Sequence, residues 1–492
     1  MKNAEKRVFL ALLGIFLLGM MLVSVSTSPL YQFSFGGDSA IFTLIGKGIV
    51  NGKIPYVDLF DHKGPILFGI EALGYGVGGR AGIFLLQCVF GCITLFGIYK
   101  IYIMFSEQGE QKTKDLFLIF IPVYAMFFYT FEGGNLTEEY SLPFIASCIY
   151  LMMKYAMNVK NKEEHSPVYA FYYGICFGIL AFIRVNNAVS ICAGILAIAV
   201  FLVIRKKYKN LLSNILCGLL GILFIALPVS LYFAVLNAWD DMIYATFIHN
   251  IRYAAATSSQ SIFADPLKSM ATYLPVVLSL ICLISFGIEL KREKRKAEFV
   301  DVVIGCMLIC NFMCQAISNS YAHYFAIYVP VFLLVLTKYK NEGTKVVKAI
   351  KITMLVLSVM VSGFFVAKST ATAVYNGLLT SDYRMQHEKI TEAFSVIPEN
   401  ERDSVIGYNI HARVYMNGDI IPCYKYYTFQ KWWSVSNPAI NEEFMKWLEE
   451  EKPLWVVKHP GEKETKLMQI LEEDYELKNE SKALFVYRLK EK

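Results

Sequence analysis

The stretch RVFLALLGIFLLGMMLVSVST, residues 7–27, is an apolar run of the length that an α-helix needs to cross a bilayer. Comparable runs recur along the chain, in which 55% of the 492 residues are hydrophobic and 18% are charged. The mean hydropathy is +0.44. An ordinary soluble domain carries about 25% charged residues. The composition therefore excludes a typical soluble enzyme and predicts an α-helical polytopic membrane protein.

A window of about 19 residues predicts about eleven transmembrane helices. The shorter ones are expected to be extended or tilted. They lie near residues 7–27, 81–105, 116–131, 140–157, 168–183, 188–204, 211–236, 271–290, 302–317, 324–336 and 350–367.

Lysine and arginine residues orient these predicted helices. The net charge of +6 comes from short basic clusters between apolar runs, which is typical of membrane topology and not of nucleic-acid binding. Lys2, Lys6 and Arg7 place the N-terminus in the cytoplasm, because basic residues in short segments resist translocation. Alternation then puts every basic cluster on that side. The sequence predicts a multi-pass plasma-membrane protein with a cytoplasmic N-terminus and an extracytoplasmic C-terminus.

Two outer segments depart from the simple pattern of spans. The first outer loop, residues 28–80, contains two predicted amphipathic helices on the membrane surface, at 38–51 and 64–78. Turn chemistry at Asn51-Gly52 and Pro55 separates these two helices. A second outer segment, residues 237–270, is amphipathic.

The last part of the chain, residues 368–492, has the composition of a soluble domain. Helix-like and strand-like stretches alternate there, which predicts a small extracytoplasmic α/β domain after a membrane module of residues 1–367. The helix-like stretches are 381–395, 441–451 and 464–473, and the strand-like ones are 404–408, 454–458 and 483–488.

Carboxylates gather at the outer ends of the predicted helices. Ionisable groups within a bilayer are costly, and an ion-coupled transporter is expected to place some near the midplane. The apolar runs here are almost free of them. The candidate site therefore faces outward, near Asp38, Asp58, Asp61, Glu71, Glu132, Glu138 and Glu139.

Asp38 lies in GGDSA, residues 36–40, where a turn enters a predicted helix, so helix capping is one interpretation. Capping does not account for a second acidic set, Glu138 and Glu139, on the same predicted side. If the fold brings the two sets together, they could deprotonate an acceptor hydroxyl, position it, or hold a divalent cation.

Cations and polar side chains at the same depth are candidate substrate contacts. Lys63, in DHKGP at residues 61–65, could contact a phosphate or could extend to the lipid headgroups. Arg184, close to Asn187, is a second candidate for phosphate. Further candidates are His249, Arg252, His323 and Tyr324, of which the last two could hydrogen-bond a sugar or phosphate.

These motifs together resemble the GT-C class of membrane glycosyltransferases, in particular the bacterial branch of protein O-mannosyltransferases and the lipid A aminoarabinose transferase. The resemblance rests on a first-loop Asp, a Gly-x-x-Pro-Tyr turn, a Lys-Gly-Pro element, a second-loop acid and a downstream His-Tyr-Phe. It implies a polyprenyl phosphate sugar as donor, an acceptor hydroxyl on a glycan, lipid or protein, and inversion at the anomeric carbon.

The resemblance also implies roles for individual residues. Asp38 matches the catalytic acid of the first loop, Glu138 or Glu139 that of the second, and Lys63 the lysine that contacts the lipid phosphate. The remaining candidate substrate-binding residues are Tyr56, Asp61, His62, Arg184, Asn187, His323 and Tyr324.

Two alternative functions remain open from the sequence. A flippase or transporter of a lipid-linked saccharide would use the soluble domain for docking, and a scaffold for cell-envelope assembly would need only that domain to bind partners. Substitution of Asp38 and Glu138 distinguishes the scaffold from the transferase, because a scaffold predicts that these changes have no effect.

Overall fold

The computed structural model describes residues 3–106, 111–161, 164–256, 266–317 and 321–491 of the chain. It is mostly helical, with one small sheet near the C-terminus. Before residue 380 the helices are Asn3–Val23, Gly37–Val50, Pro65–Phe105, Gln111–Thr130, Thr137–Asn158, Pro167–Arg184, Val189–Ile204, Tyr208–Val235, Trp239–Ile243, Asn250–Ala256, Pro266–Arg292, Phe299–Ile317, Val329–Tyr339 and Lys345–Val374, with shorter 3-10 or π turns at Val185–Ala188, Tyr244–His249, Ala322–Tyr328 and Tyr375–Leu379.

All eleven predicted spans coincide with helices. By length and composition, seven helical segments among the described residues could cross a membrane. One of them, Pro167–Ile204, joins two predicted spans through the turn Val185–Ala188. Thr137–Asn158 is not among the seven, and it begins with Glu138 and Glu139 in its first turn. The protein is thus a multi-pass membrane protein.

Two helices are present where the sequence predicts them in the first outer loop, but the middle of the first one, residues 39–48, is buried on all sides and is not amphipathic. The first is Gly37–Val50, and it ends at Asn51-Gly52, where Gly52 has a φ of 82°. The second begins at Pro65 and continues into a long helix, but Gly78 and Gly79 break its backbone geometry. Gly79 has φ 59° and ψ −139°, a combination that glycine adopts readily because it lacks a Cβ. This kink lies where the sequence predicts the second surface helix to end.

Contacts divide the chain into two compact units. The first unit comprises Met1–Ser24, Gln87–Val229 and Ser259–Ala371, and the second comprises Val25–Leu86, Ser230–Ser258 and Thr372–Lys492. The second unit therefore joins the first outer loop, a central segment and the C-terminal part, here called the tail (residues 372–491). Part of the predicted amphipathic segment 237–270 falls at 257–265, outside the described residues.

The core of the first unit is formed by apolar helices. Cys148, Ile149 and Met152 of helix Thr137–Asn158 are completely buried. Elsewhere in this unit, a Cβ on Gly174 would collide with the backbone of the helix Tyr208–Val235. Small residues at such crossings let membrane helices approach closely, which increases van der Waals contact.

The tail contains the predicted small α/β fold. Its helices are Asp382–Phe394, Ala412–Gly418, Gln430–Ser436, Ala439–Glu451 and Thr465–Asp474, with a 3-10 turn at Glu399–Ser404. Its strands are β1 (Val405–Tyr408), β2 (Trp455–Lys458), β3 (Tyr475–Glu480) and β4 (Phe485–Leu489).

The four strands form one sheet in the order β1-β2-β4-β3. Strands β1 and β2 pair in parallel, with Val405 opposite Trp455, whereas β4 is antiparallel to both β2 and β3. Every residue of β1 and β2 is buried, as expected for strands covered on both faces. The sequence predicts β1, β2 and β4. It misses β3, whose residues are mostly polar and partly exposed.

Candidate functional site

Asp38 occupies the first turn of the helix Gly37–Val50 in the second unit. Gly36 is the N-cap residue and supplies no side-chain cap, and Asp38 lies one position inside the helix. The Asp38 side chain is exposed. No hydrogen bond or ion pair engages its carboxylate in the part of the chain that the structure describes. The capping interpretation of Asp38 therefore has no support, and the carboxylate is available to a ligand.

Lys63 lies in the same loop, and other residues of the loop fix its backbone. The Lys63 N–H donates to Asp61 Oδ1 at 2.9 Å, and the Tyr56 hydroxyl donates to the Lys63 carbonyl at 2.8 Å. The Lys63 ammonium contacts His62 Nε2 and lies 5.8 Å from the centre of the Phe42 ring. No described carboxylate forms an ion pair with this ammonium, which leaves its charge open to an anionic ligand.

His62 is held by the central segment and by the tail. Its carbonyl accepts a hydrogen bond from Asn250 Nδ2 at 2.7 Å. Its ring packs edge-to-face with Trp433 at 5.1 Å and lies 5.4 Å from the ring of Tyr253. A backbone hydrogen bond from Phe60 to the carbonyl of Lys425, at 2.9 Å, fastens the preceding loop residue to the tail.

Asp61 and His249 are buried groups of this unit with shifted pKa values. Burial raises the pKa of the Asp61 carboxyl, although the charge and N–H of Lys63 oppose this effect. Burial, with the charges of Arg252 and Lys63, lowers the pKa of His249 to about 4. His249 is thus neutral near pH 7 and forms part of the wall beside His62, at a ring distance of 6.1 Å.

The second acidic set lies in the first unit. Glu138 is almost completely buried and forms an ion pair with Arg184, with 2.5 Å between Nη1 and Oε1. It also accepts a hydrogen bond from the hydroxyl of Thr137 at 2.9 Å. The Arg184 guanidinium stacks 3.8 Å from the centre of the Tyr324 ring. The charges of Glu138 and Arg184 therefore compensate each other.

A small cavity adjoins Arg184. Its volume is about 20 Å³, which is room for a water molecule. It is lined by Arg184, Asn186, Asn187, Cys314, Gln315, Tyr324 and Ile327. The predicted residues Arg184, Asn187 and Tyr324 thus share one pocket wall.

The neighbours of Glu138 have structural partners. Glu139 Oε1 accepts from the N–H of Leu136 at 3.1 Å and Oε2 accepts from Gln87 at 2.7 Å, so this carboxylate closes the first turn of its helix. Asn187 donates to Ser141 at 2.9 Å. His323 pairs with Glu132 through its Nδ1.

The predicted site residues therefore form two sets. Asp38, Tyr56, Asp61, His62 and Lys63 lie in the second unit. The first unit holds Glu138, Glu139, Arg184, Asn187, His323 and Tyr324. Within the described ranges, no group of three or more His, Cys, Asp or Glu side chains is arranged to hold a metal ion.

Sequence reasoning missed Trp433, Asn250 and Gln87, which complete the surroundings of these residues. The pair Trp432-Trp433 in an otherwise polar tail was the available signal for the first of them. Asn250 and Gln87 carry no local signal, because their partners are 188 and 52 residues away in sequence.

The sequence profile of the competence-induced protein Ccs4 N-terminal domain matches residues 2–349, which is most of the chain. A comparison with curated protein sequences gives no match.

Two solved structures resemble the fold. ArnT from Cupriavidus metallidurans bound to undecaprenyl phosphate is 12% identical, with a TM-score of 0.61 and 97% of each chain covered. The apo state of the same protein is 11% identical, with a TM-score of 0.57 and the same coverage. The likeness extends over the helices and the C-terminal sheet and confirms the predicted GT-C-like fold.

Proposed function

The chain belongs to the family of the competence-induced protein Ccs4 N-terminal domain, and we propose that it is a membrane glycosyltransferase that uses a polyprenyl phosphate sugar. The observation that carries this proposal is the likeness, over 97% of both chains, to a structure that holds undecaprenyl phosphate. The acceptor is a hydroxyl on a glycan, lipid or protein at the extracytoplasmic face of the plasma membrane. This orientation follows from the positions of the basic clusters.

Asp38 is the proposed general base. Its exposed carboxylate, without a partner among the described residues, can take the proton of an acceptor hydroxyl. The acceptor oxygen then bonds to the anomeric carbon as the bond from that carbon to the phosphate oxygen breaks. The electron pair of the broken bond leaves with the polyprenyl phosphate, and the anomeric configuration inverts.

Lys63 is the proposed contact of the leaving phosphate. Its backbone is fixed by Asp61 and Tyr56, and its ammonium has no ion pair with a described carboxylate. A positioned cation stabilises the negative charge that develops on the phosphate. Arg184 is a weaker candidate for this role than Lys63, because Glu138 already compensates its charge.

The residues around these two have supporting roles in the proposal. His62 and Asp61 orient Lys63 through direct contacts. Glu138 holds Arg184, and Glu139 holds the start of its own helix. The remaining candidates, Asn187, His323 and Tyr324, are proposed to line the substrate region of the first unit.

The test is transfer of labelled sugar from polyprenyl phosphate donors to endogenous envelope acceptors in membranes. We expect Asp38→Asn to abolish transfer at matched protein levels, because an amide cannot accept the proton. Asp240→Asn is the matched control, since Asp240 is also an exposed acid in the first turn of a helix of the second unit. Wild-type transfer by Asp38→Asn would exclude Asp38 as the base.

Lys63→Ala should raise the donor concentration needed for half-maximal transfer. An unchanged requirement would leave Lys63 with a role at the lipid headgroups only. If the wild type transfers no sugar but moves the labelled lipid between leaflets, the flippase alternative replaces the transferase.

A further inference from the structure

A short helix of the tail runs beside the helix that carries Asp38. The tail helix Ala412–Gly418 packs against Gly37–Val50 within the second unit. At one end of the pair, the Lys47 ammonium binds Asp419 Oδ1 at 2.5 Å. At the other end, the Asp38 carboxylate is within electrostatic reach of the His411 imidazole.

The spacing of these two contacts is consistent along both segments. Asp38 and Lys47 are nine positions apart, and His411 and Asp419 are eight apart, so each pair spans roughly 12–14 Å at the rise of an α-helix. Since the tail helix packs against Gly37–Val50 and its C-cap residue Asp419 binds Lys47, the two helices run side by side in the same direction, which brings His411 towards Asp38.

The cap of the tail helix fixes the tautomer of His411. His411 is the N-cap residue, and its Nδ1 accepts a hydrogen bond from the N–H of Arg413 at 3.1 Å. A neutral imidazole that accepts at Nδ1 carries its hydrogen on Nε2. No residue in the described ranges accepts a hydrogen bond from Nε2. The Nε2–H is therefore available to donate to a ligand.

His411 stays neutral under physiological conditions. Burial and the charge of Arg413 lower its pKa to about 4, His459 acts in the same direction, and Asp38 opposes the shift. The ring is also held edge-to-face by Phe429 at 5.0 Å. A neutral donor can bind an oxygen of a ligand without forming an ion pair that would occupy the Asp38 carboxylate.

We propose that His411 donates its Nε2–H to an oxygen of the acceptor, next to the hydroxyl that Asp38 deprotonates. The inference rests on the proposed function of Asp38 as the base. The acceptor hydroxyl must lie against this carboxylate, so a group close to Asp38 is also close to the acceptor. An acceptor held in this way needs two neighbouring oxygens, one for Asp38 and one for His411, and a saccharide has such a pair. The tail thus selects a glycan or glycolipid acceptor over a lone hydroxyl.

Two substitutions separate this role from capping. His411→Ser keeps a capping oxygen but removes the Nε2 donor, whereas His411→Ala removes both. We expect His411→Ser to lower transfer to endogenous envelope acceptors roughly tenfold, the value of about one hydrogen bond. We expect His411→Ala to lower it at least as much. Full transfer by His411→Ser, with loss only in His411→Ala, would reduce His411 to a cap and overturn the proposal.

A binding measurement shows whether His411 contacts the acceptor substrate or the lipid-linked sugar donor. Binding of undecaprenyl phosphate is measured as thermal stabilisation of the purified protein. His411→Ser should be stabilised as much as the wild type, and Lys63→Ala less. Weaker stabilisation of His411→Ser would move the contact to the donor and overturn the acceptor assignment. If wild-type membranes transfer no sugar, the proposed function and this inference fail together. If the wild type and His411→Ser transfer sugar equally well and only Asp38→Asn is inactive, the proposed function stands and this inference alone fails.

Discussion

Two aspartates of the first outer loop show how different environments give the same side chain different properties. Asp38 is exposed and without a partner among the described residues, whereas Asp61 is buried and accepts the N–H of Lys63. Burial raises the pKa of Asp61. A solvated carboxylate is suited to exchange a proton with a substrate, and a buried one is suited to hold a neighbour in place.

The raised pKa of Asp61 gives a prediction about stability. Above the pKa of about 3.9 of an unfolded aspartate, ionisation costs more in the folded state, so this residue lowers stability as the pH rises towards its folded pKa. Asp61→Asn keeps an oxygen for the N–H of Lys63 and removes the charge. We expect a higher melting temperature than the wild type at pH 7 and no difference at low pH. A lower melting temperature at pH 7 would mean that the charge of Lys63 outweighs burial.

Sequence reasoning located several residues of the candidate site but few of their partners. Asp38 and Lys63 could be recognised because turn residues and charges mark the loop locally. Trp433 and His411 could not, because each meets its loop partner across more than 300 residues, and no local pattern encodes such contacts. The pairing of Glu138 with Arg184 was also missed, although only 46 residues separate them, because the two residues lie on different helices.

At the scale of elements, the ion pair between Lys47 and Asp419 joins the helix Gly37–Val50 to the tail. The Lys47 side chain is 9% exposed, whereas that of Asp419 is 80% exposed. The buried ammonium therefore depends on one partner from another element, and its loss leaves a charge without compensation.

Asp419→Asn should destabilise the second unit by about 1 kcal/mol. Asparagine suits the left-handed backbone at this position, where φ is 54°, so the change affects mainly the charge. In the Asp419→Asn background, Lys47→Met should recover part of the loss, because it removes the uncompensated ammonium. Thermal melts of the four proteins of this double-mutant cycle measure the coupling. Strictly additive effects would show that the pair contributes nothing.

The elements themselves were largely predictable. Apolar runs and the turn at Asn51-Gly52 gave the helices, since both signals are local. Strand β3 was not predicted, because an edge strand with exposed polar residues lacks the alternating apolar pattern. The sequence also did not predict that the turn Val185–Ala188 joins two of the predicted spans, because a tight turn without Gly or Pro has no characteristic sequence pattern.

At the scale of the whole molecule, the second unit is built from three separated segments of the chain. The loop around His62 and Lys63 packs against Trp433 and is hydrogen-bonded to the tail through Phe60. A division of the chain by sequence position, into a membrane module and a C-terminal domain, does not predict that the first outer loop packs against the tail.

Removal of residues 372–491 should therefore change the first outer loop. We expect trypsin to cut the detergent-solubilised, truncated protein at Lys53 and Lys63 faster than the full-length protein, because these lysines lose the tail that packs around their loop. Mass spectrometry of the fragments over time measures the two rates. Equal rates at both lysines would show that the loop keeps its structure without the tail.

The ion pair between Lys47 and Asp419 also has a consequence for biogenesis, since 372 residues separate its two members. At a synthesis rate of about 5–20 residues per second, roughly 20 to 75 seconds pass between the emergence of the two partners from the ribosome. During this interval the first outer loop is already made, but the surface that covers it does not yet exist. Maturation of the loop therefore waits for synthesis of the tail, and a nascent chain stalled before Asp419 would present an unassembled loop to quality-control proteases.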